Sequence, residues 1–328
     1  MSRMITLSAY DCVEVDGYLY FFSSDYNLFF KSEISTGKIS IIGSIPEENI
    51  FTGQLCSKLI HYKNFIYFAP MHAGKIWRYC IDDRSWKNYE FPKMEYFRGI
   101  YAFCQVVLYN DKLFFFGCRY PAIVILNLNT EDMTLCESVY TEHLRALSEN
   151  MMKAFFVREG VCLNDYMYMA SCLDNTVLKF NMNNFEYEYV SLGDDKSNFS
   201  GIGYDGSNFY IAPRNKNDAI KWDGAGKYEV IKLQYLTSEA DRVSVGVLCD
   251  EGKVYFYGMY EDRFLDSDNG ICILHDKYRI YKRLDTGSFV CLDSKGKLTV
   301  KRNDEEYIYF LRIDEDYLND YLINIAFF

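Results

Sequence analysis

The sequence contains little that would divide or anchor a chain. Five prolines are spread over 328 residues, and no stretch rich in glycine, serine and proline marks a linker. No apolar run reaches the ~18 residues that a membrane helix needs. The first residues lack the long apolar run and the small-residue cleavage site of a secretory signal. These absences predict a single domain over residues 1–328, located in the cytoplasm, without a membrane partner.

Histidine is also scarce, and catalytic motifs are missing. The four histidines form neither His-x-His nor His-Glu-x-x-His, which argues against a metal site. Residues 266–270 begin like a calcium loop, but Lys277 stands where the bidentate glutamate should be. No phosphate-binding loop, dinucleotide fingerprint or nucleophile elbow occurs. We therefore expect no metal and no cofactor, and these absences favour a protein that is not an enzyme.

Acidic residues outnumber basic ones: the chain has 46 aspartates and glutamates and 35 lysines and arginines, for a net charge of −11. Such a chain repels a nucleic-acid backbone, so we expect no nucleic-acid partner. The cysteine count is eleven, an odd number, and no Cys-x-x-Cys pair occurs. Most cysteines lie in apolar, strand-like runs, which predicts free thiols packed in the core in a reducing compartment.

Aromatic residues are abundant: 30 tyrosines and 25 phenylalanines are present, and aromatic side chains favour β-strands. One phrase recurs, consisting of an apolar strand, a short Asp/Asn/Gly turn, an aromatic strand and a pair of small residues. The clearest copy spans residues 109–118 and ends in Gly117-Cys118. The copies repeat about every 42 to 53 residues, a period typical of propeller blades. Their hairpins begin near residues 11, 57, 104, 157, 200, 243 and 288.

Each copy continues with a loop, a third strand, a polar turn and a fourth strand. Four antiparallel strands make one blade, and blades bury their faces on each other. The sequence therefore predicts an all-β fold, a single closed β-propeller of seven four-stranded blades. The alternative is six blades, with the divergent last copy as a tail outside them. A helix is expected over residues 141–153, from the spacing of Leu144, Leu147 and Met151. The last blade is expected to end on the C-terminal DYLINIAFF or to pair with the N-terminal RMITL.

The repeat resembles that of the Kelch-like β-propellers. In that family a tyrosine precedes a tryptophan by seven positions across the outer turn, as Tyr79 precedes Trp86 in the second copy. Where the family has paired glycines, this chain has other small pairs, such as Ser23-Ser24. The same separation recurs in two other copies, between Phe180 and Tyr187 and between Leu274 and Tyr281, so the segment YRIYKR is expected to be the outer strand of copy six. The resemblance implies a propeller fold and carries over no catalytic residue.

The loops between second and third strands carry the candidate binding residues. In a propeller these loops project to one face, around the mouth of the central channel. Arginine forks suit carboxylate or phosphate, and tyrosines suit stacking on a sugar or flanking a peptide. The candidates are Tyr26, Asn27, His72, Arg119, Tyr120, Asn175, Arg214 and Arg263. A second candidate surface is the aromatic connection 91–102, which either is functional, covering the channel or forming a binding patch, or packs against the third blade.

These features predict a non-catalytic binding or scaffold module that presents one loop-rich face to a protein or glycan-type ligand. The alternative is an enzyme that acts on a sugar-like or anionic small substrate, using His72 or a loop carboxylate with the arginines. A pocket that brings His72, Arg119 and Arg214 within reach of one small ligand would favour the enzyme.

Overall fold

The computed structural model describes residues 3–95, 97, 99–141, 154–157, 160–214, 218–233, 245–258, 271–273 and 278–326. Strands dominate these ranges, as the aromatic composition predicts. The chain folds into two compact units: unit 1 is Met1–Glu90 with Tyr278–Phe328, and unit 2 is Phe91–Lys277. No helix among the described residues is long and apolar enough to cross a bilayer.

Unit 1 contains three four-stranded sheets, a two-stranded sheet and a helix. Sheet 1 is β2 (Ala9–Val15), β3 (Tyr18–Ser23), β4 (Phe29–Glu33) and β5 (Ile39–Gly43). Sheet 2 is β6 (Cys56–Tyr62), β7 (Phe65–Pro70), β8 (Ile76–Cys80) and β9 (Trp86–Tyr89). Sheet 7 is β25 (Tyr278–Arg283), β26 (Phe289–Asp293), β27 (Lys297–Arg302) and β28 (Glu305–Phe310). The two-stranded sheet is β1 (Met4–Thr6) with β29 (Arg312–Asp314), and helix α2 is Glu315–Ala326.

Unit 2 contains sheets 3 to 6 and a short helix, α1 (Ser138–Thr141). Sheet 3 is β10 (Phe103–Tyr109), β11 (Lys112–Gly117), β12 (Ile123–Asn127) and β13 (Met133–Cys136). Sheet 4 is β14 (Val161–Leu163), β15 (Tyr166–Ala170), β16 (Thr176–Asn181) and β17 (Tyr187–Ser191). Sheet 5 is β18 (Phe199–Tyr204), β19 (Phe209–Pro213), β20 (Asp218–Trp222) and β21 (Tyr228–Lys232). Sheet 6 is β22 (Val245–Asp250), β23 (Lys253–Gly258) and β24 (Ile271–Ile273).

Six of these sheets are four-stranded and antiparallel, which confirms the predicted form of the repeat but not the predicted number of seven. Six complete blades match the alternative prediction, but the copy without four described strands is not the one expected. The last copy, considered as a tail outside the blades, forms the four-stranded sheet 7. The segment YRIYKR, predicted as the outer strand of copy six, is β25 and pairs with β26. In the described part of copy six, β24 runs parallel to β23, and the sheet has three strands.

The two ends of the chain meet in unit 1. β1 pairs with β29 in a sheet of its own, with Ile5 opposite Ile313. Within the described ranges no four-stranded sheet takes strands from both ends, so hydrogen bonds do not close the fold in the predicted way. Most of DYLINIAFF is helical in α2, and Leu318, which lies earlier in the same helix, packs in the core. The helix predicted over 141–153 lies outside the described residues, except for Thr141 at the end of α1.

The tight turns rich in Asp, Asn and Gly have the backbone that these residues favour. Asn110 and Asp111 have φ angles of 47° and 55°, and Asp16 and Gly17 have φ angles of 51° and 79°. Two successive residues in the left-handed region make a type I′ turn, whose twist matches that of the flanking strands. The predicted hairpins with short polar turns are confirmed, and the turns set the register of the paired strands.

The small pairs that end the second strands lie where neighbouring sheets meet. The Cys118 N–H donates to the Ala102 carbonyl at 2.7 Å, and the Cys118 carbonyl accepts from the Phe155 N–H at 2.7 Å. A Cβ on Gly117 would lie 1.8 Å from the Tyr120 carbonyl oxygen, so only glycine fits there. Equivalent backbone bonds join Ser24 to Ser8 and to Gln54, and Ser171 to Phe199.

Aromatic side chains fill the space between sheets. Phe114 and Phe116 of β11 lie 6.3 and 5.9 Å from Phe180 of β16, measured between ring centroids. Phe115 faces the other side of β11, as strand alternation requires, and its ring lies 5.8 Å from Phe103. The predicted packing of free thiols in the core is confirmed for Cys12, Cys80, Cys104 and Cys118.

Candidate functional site

In unit 1, the predicted residues Tyr26 and Asn27 belong to the loop between β3 and β4. Asn27 is fully buried. Its amide nitrogen donates to the carbonyls of Ile45 and Glu48, both at 2.9 Å, and its amide oxygen accepts from the Ile45 N–H at 2.8 Å. These bonds tie the loop to the connection between β5 and β6, so the Asn27 side chain is structural and closed to a ligand. Tyr26 is half-buried against the core of sheets 1 and 7.

His72 lies in the loop between β7 and β8 and is half-buried. Its backbone N–H donates to the carbonyls of Gln54 and Leu55, at 3.2 and 3.3 Å. Two residues further on, the Gly74 N–H donates to Glu48 Oε1 at 3.1 Å. The connection between β5 and β6 therefore holds the loops of sheets 1 and 2 together, and ligand binding by His72 stays a prediction.

In unit 2, Tyr120 lies in the loop between β11 and β12 and is fully buried. Its hydroxyl donates to the Pro92 carbonyl at 2.7 Å, and its ring lies 5.2 Å from Phe91 and 5.3 Å from Phe97. Burial raises the pKa of Tyr120 to about 12. These contacts show the connection 91–102 packing on sheet 3, the second of its two interpretations. The Tyr120 ring is consequently closed to a ligand.

Arg119 and Arg214 each follow a small pair that ends a second strand. The Arg119 N–H donates to the Tyr101 carbonyl at 2.9 Å, and the Arg119 guanidinium lies 4.7 Å from the centroid of the Tyr101 ring, a cation–π contact. The Arg214 N–H donates to the Asn198 carbonyl at 2.9 Å. Both side chains are half-buried. The repeat therefore places these two arginines at equivalent positions in sheets 3 and 5.

The charges of the two arginines act on the same two buried thiols. Burial raises the pKa of Cys118 and of Cys172 to about 12, and the Cys172 thiol donates to the Ala154 carbonyl at 2.7 Å. The positive charges of Arg119 and Arg214 oppose this shift at both thiols. Backbone hydrogen bonds join the two thiol positions through Phe155, whose N–H donates to the Cys118 carbonyl at 2.7 Å and whose carbonyl accepts from the Cys172 N–H at 2.9 Å. We call Arg119 and Arg214 the arginine pair.

Two further predicted residues add little to this site. Asn175 is half-buried in the loop between β15 and β16, and its carbonyl accepts from the Leu192 N–H at 2.8 Å. Arg263 lies outside the described residues. Over the part of the chain that the structure describes, no three His, Cys, Asp or Glu side chains are grouped to hold a metal ion.

The first strands of sheets 1, 2 and 7 carry a buried ionic network that the sequence analysis missed. Asp11 of β2 is 2% exposed. Its Oδ1 contacts the ammonium groups of Lys58, at 3.8 Å, and of Lys282, and its Oδ2 accepts from the Leu59 N–H at 2.9 Å. Pairing offsets the large cost of burying an isolated charge. The signal in the sequence is a charged residue inside each of three apolar strands, but only the fold shows that these strands are neighbours.

No protein-family model matches the sequence, and no curated protein sequence matches it. The fold does match solved structures. A catalytically inactive virginiamycin B lyase from Staphylococcus aureus, solved with quinupristin, gives a TM-score of 0.56 at 11% identity, over 95% of this chain and 88% of that chain. A chain of the Mitotic Checkpoint Complex gives 0.58 at 8% identity, over 95% and 91%. The RRP9 WD40 repeats give 0.51 at 8% identity, over 93% and 82%.

Identities this low show the fold alone. The similar structures are β-propellers, so this chain has an all-β propeller fold with four-stranded antiparallel blades. Tyr79 lies opposite Trp86 across β8 and β9, where the Kelch resemblance implied an outer turn between them. The comparisons do not confirm that the repeat is specifically Kelch-like.

Proposed function

We propose that this protein is a non-catalytic binding module in which the arginine pair holds an acidic segment of a partner protein. The observation that carries the proposal is that Arg119 and Arg214 occupy equivalent loop positions and that their charges act on the same two thiols, Cys118 and Cys172, which Phe155 joins through its backbone. Planar guanidinium forks bind carboxylates through paired, charge-assisted hydrogen bonds. Because Arg119 stacks on Tyr101, its side chain loses less conformational freedom when it binds.

Charge and fold analogy support a protein partner. The net charge of −11 repels long polyanions, so a local pair of cations selects a short acidic group. The likeness to a chain of the Mitotic Checkpoint Complex and to WD40 repeats supports a scaffold role at the level of fold. The enzyme alternative requires His72 and the arginines to act on one substrate. His72 belongs to unit 1 and the arginine pair to unit 2, so this alternative stays a prediction.

The proposal is tested by fluorescence anisotropy with a labelled peptide of alternating glutamate and glycine residues. Replacing both arginines, Arg119→Gln with Arg214→Gln, should weaken binding at least about tenfold, which corresponds to ~1.4 kcal/mol. Binding by the unmodified protein should weaken as salt is added, because exposed charges are screened. The same peptide with glutamine in place of glutamate should not bind.

The matched control removes two positive charges elsewhere, by Lys232→Gln with Lys301→Gln. These side chains are 75% and 58% exposed. A general electrostatic attraction would weaken equally in both double variants, whereas a specific site weakens only when the arginine pair is replaced. Equal losses in the two double variants, or binding of the glutamine peptide, would contradict the proposal.

A further inference from the structure

An open groove of about 520 Å³ lies on sheet 4, apart from the arginine pair. Its lining combines the aromatic residues Tyr166, Phe185 and Tyr187 with Lys179, Asn181 and two glutamates. The strand register places Tyr166 opposite Asn181 and Lys179 opposite Glu188, so these four side chains share one face of the sheet. Tyr166 is the first residue of β15, whereas Cys172 follows the other end of that strand, about 15 Å away. The groove is therefore a separate surface.

The charges in the groove select against charged ligands. Lys179 Nζ lies 2.6 Å from Glu188 Oε1 and 5.0 Å from the centroid of the Tyr166 ring. Glu186 accepts a hydrogen bond from Asn184 Nδ2 at 2.8 Å. Two carboxylates against one ammonium leave an excess of negative charge, which repels phosphates and carboxylates. The Lys179 ammonium, placed beside the ring, repels a cationic ligand from the same position.

The remaining chemistry fits a ligand rich in hydroxyl groups. Lys179 and the Asn181 amide supply donors, while the Asn181 amide oxygen and the glutamates supply acceptors. Each hydroxyl of a sugar both donates and accepts, so it can pair with either kind of group. Tyr166, which shares the face of Lys179 and Asn181, offers apolar surface to the C–H face of a sugar ring.

The other two aromatic side chains line the groove from the core side of the sheet, because Tyr187 lies opposite Phe180 in the register. The Tyr187 hydroxyl donates to the Ser138 carbonyl at 2.9 Å. The Phe185 ring stacks on Phe180, with centroids 6.2 Å apart and planes 5° from parallel. Fixed side chains reduce the entropy lost on binding. From the Tyr166 ring, the donors and acceptors on the same face, the balance of charge and the size of the groove, we propose that sheet 4 carries a binding site for a short neutral oligosaccharide.

The test uses saturation-transfer NMR and calorimetry with three neutral probes: maltotriose, cellotriose and triacetylchitotriose. At least one should bind the full-length protein with a Kd of about 1 mM or tighter, a strength usual for open sites with few contacts. Tyr166→Ala should weaken that binding at least about tenfold. Tyr166→Phe keeps the ring and should retain most of the affinity. Glu188→Gln keeps the shape of the groove and should weaken binding by removing an acceptor.

Three controls make the result specific. Tyr228→Ala removes an exposed tyrosine from the edge strand β21 of the same unit and should leave the affinity unchanged. Arg119→Gln with Arg214→Gln should also leave it unchanged, which separates this site from the proposed protein-binding site. Glucose 6-phosphate should bind more weakly than the neutral probe. Absence of binding by all three trisaccharides, or equal affinity in Tyr166→Ala and Tyr228→Ala, overturns the proposal.

Discussion

Asn27 holds two segments of unit 1 together through its side chain. Its amide is fully buried, and its partners are backbone groups of Ile45 and Glu48. An alanine at this position would leave those backbone groups buried without their partners, and each such group costs about 1–3 kcal/mol. A residue that looked suited to a ligand is therefore expected to matter for stability.

We expect Asn27→Ala to lower the free energy of unfolding by about 3 kcal/mol, measured by urea denaturation. The matched control is Asn49→Ala in the same connection. Asn49 is exposed, and its Oδ1 accepts only a local bond from the Phe51 N–H at 2.9 Å. We expect Asn49→Ala to lower the free energy of unfolding by less than about 1 kcal/mol. Equal stability of the two variants would show that the loop does not depend on the buried amide.

At the residue scale, the sequence predicts where a residue lies in the repeat better than it predicts whether the side chain is buried. Arg119 and Arg214 could be placed because each follows a small pair, and the repeat fixes where those pairs lie. Asn27 and Tyr120 are in the same kind of loop, yet a long connection folds over each of them. No local pattern specifies how such a connection folds back, so their burial could not be predicted.

At the scale of strands, Asp11 joins three neighbours within unit 1. Its carboxylate contacts Lys58 of β6 and Lys282 of β25, and it accepts the Leu59 N–H. Removing one member of a buried ionic group leaves the others uncompensated, which costs about 3–5 kcal/mol. We expect Asp11→Asn to lower the free energy of unfolding by about that amount, measured by urea denaturation.

The comparison variant is Asp218→Asn on β20. Asp218 Oδ1 lies 2.7 Å from the Nζ of Lys232, whose side chain is 75% exposed. Exposed pairs contribute about 1 kcal/mol or less, so this variant should be close to the unmodified protein. If Asp11→Asn lowered the free energy of unfolding as little as Asp218→Asn does, the buried network would be dispensable to the packing of the three strands.

The C-terminal segment shows why two elements were misassigned. DYLINIAFF is rich in β-branched and aromatic residues, which favour the strand that is one of the two expected ways to complete the last blade. Asp314 nevertheless caps a helix, since its Oδ1 accepts from the N–H groups of Asp316 and Tyr317, at 2.9 and 3.2 Å. An Asp followed by two acidic residues is a recognisable start signal for a helix. The strand Tyr278–Arg283 has no such signal, because the alternation of apolar and polar residues is the same in the first strand of a blade as in the fourth.

At the scale of the whole molecule, the repeat predicted the four-stranded blade but not how many complete blades would form. A period of propeller length specifies the unit, whereas completeness depends on each outer strand finding its pairing partner. The same repeat places thiols in the core. Burial raises the pKa of Cys12, Cys118 and Cys172 to about 12 each, from a usual value of 9.0.

These raised pKa values make the fold sensitive to alkaline pH. Below pH 9 the thiols carry their protons in both the folded and the unfolded chain, so their contribution to stability is constant. Between pH 9 and about 12 the unfolded chain loses thiol protons that the folded chain keeps, so stability falls as pH rises. Each fully buried thiol contributes a slope of about 1.4 kcal/mol per pH unit in that window.

We expect the free energy of unfolding, measured by urea denaturation with a reducing agent, to fall steadily between pH 9 and pH 11. Cys172→Ser should make the decline shallower, because a serine hydroxyl can still donate to the Ala154 carbonyl but does not ionise in this range. Ser171→Ala, one residue earlier and equally buried, changes no titrating group and should keep the original slope. A slope that Cys172→Ser leaves unchanged would mean that this thiol titrates alike in the folded and unfolded chains, and its burial beside the arginine pair would then not hold in solution.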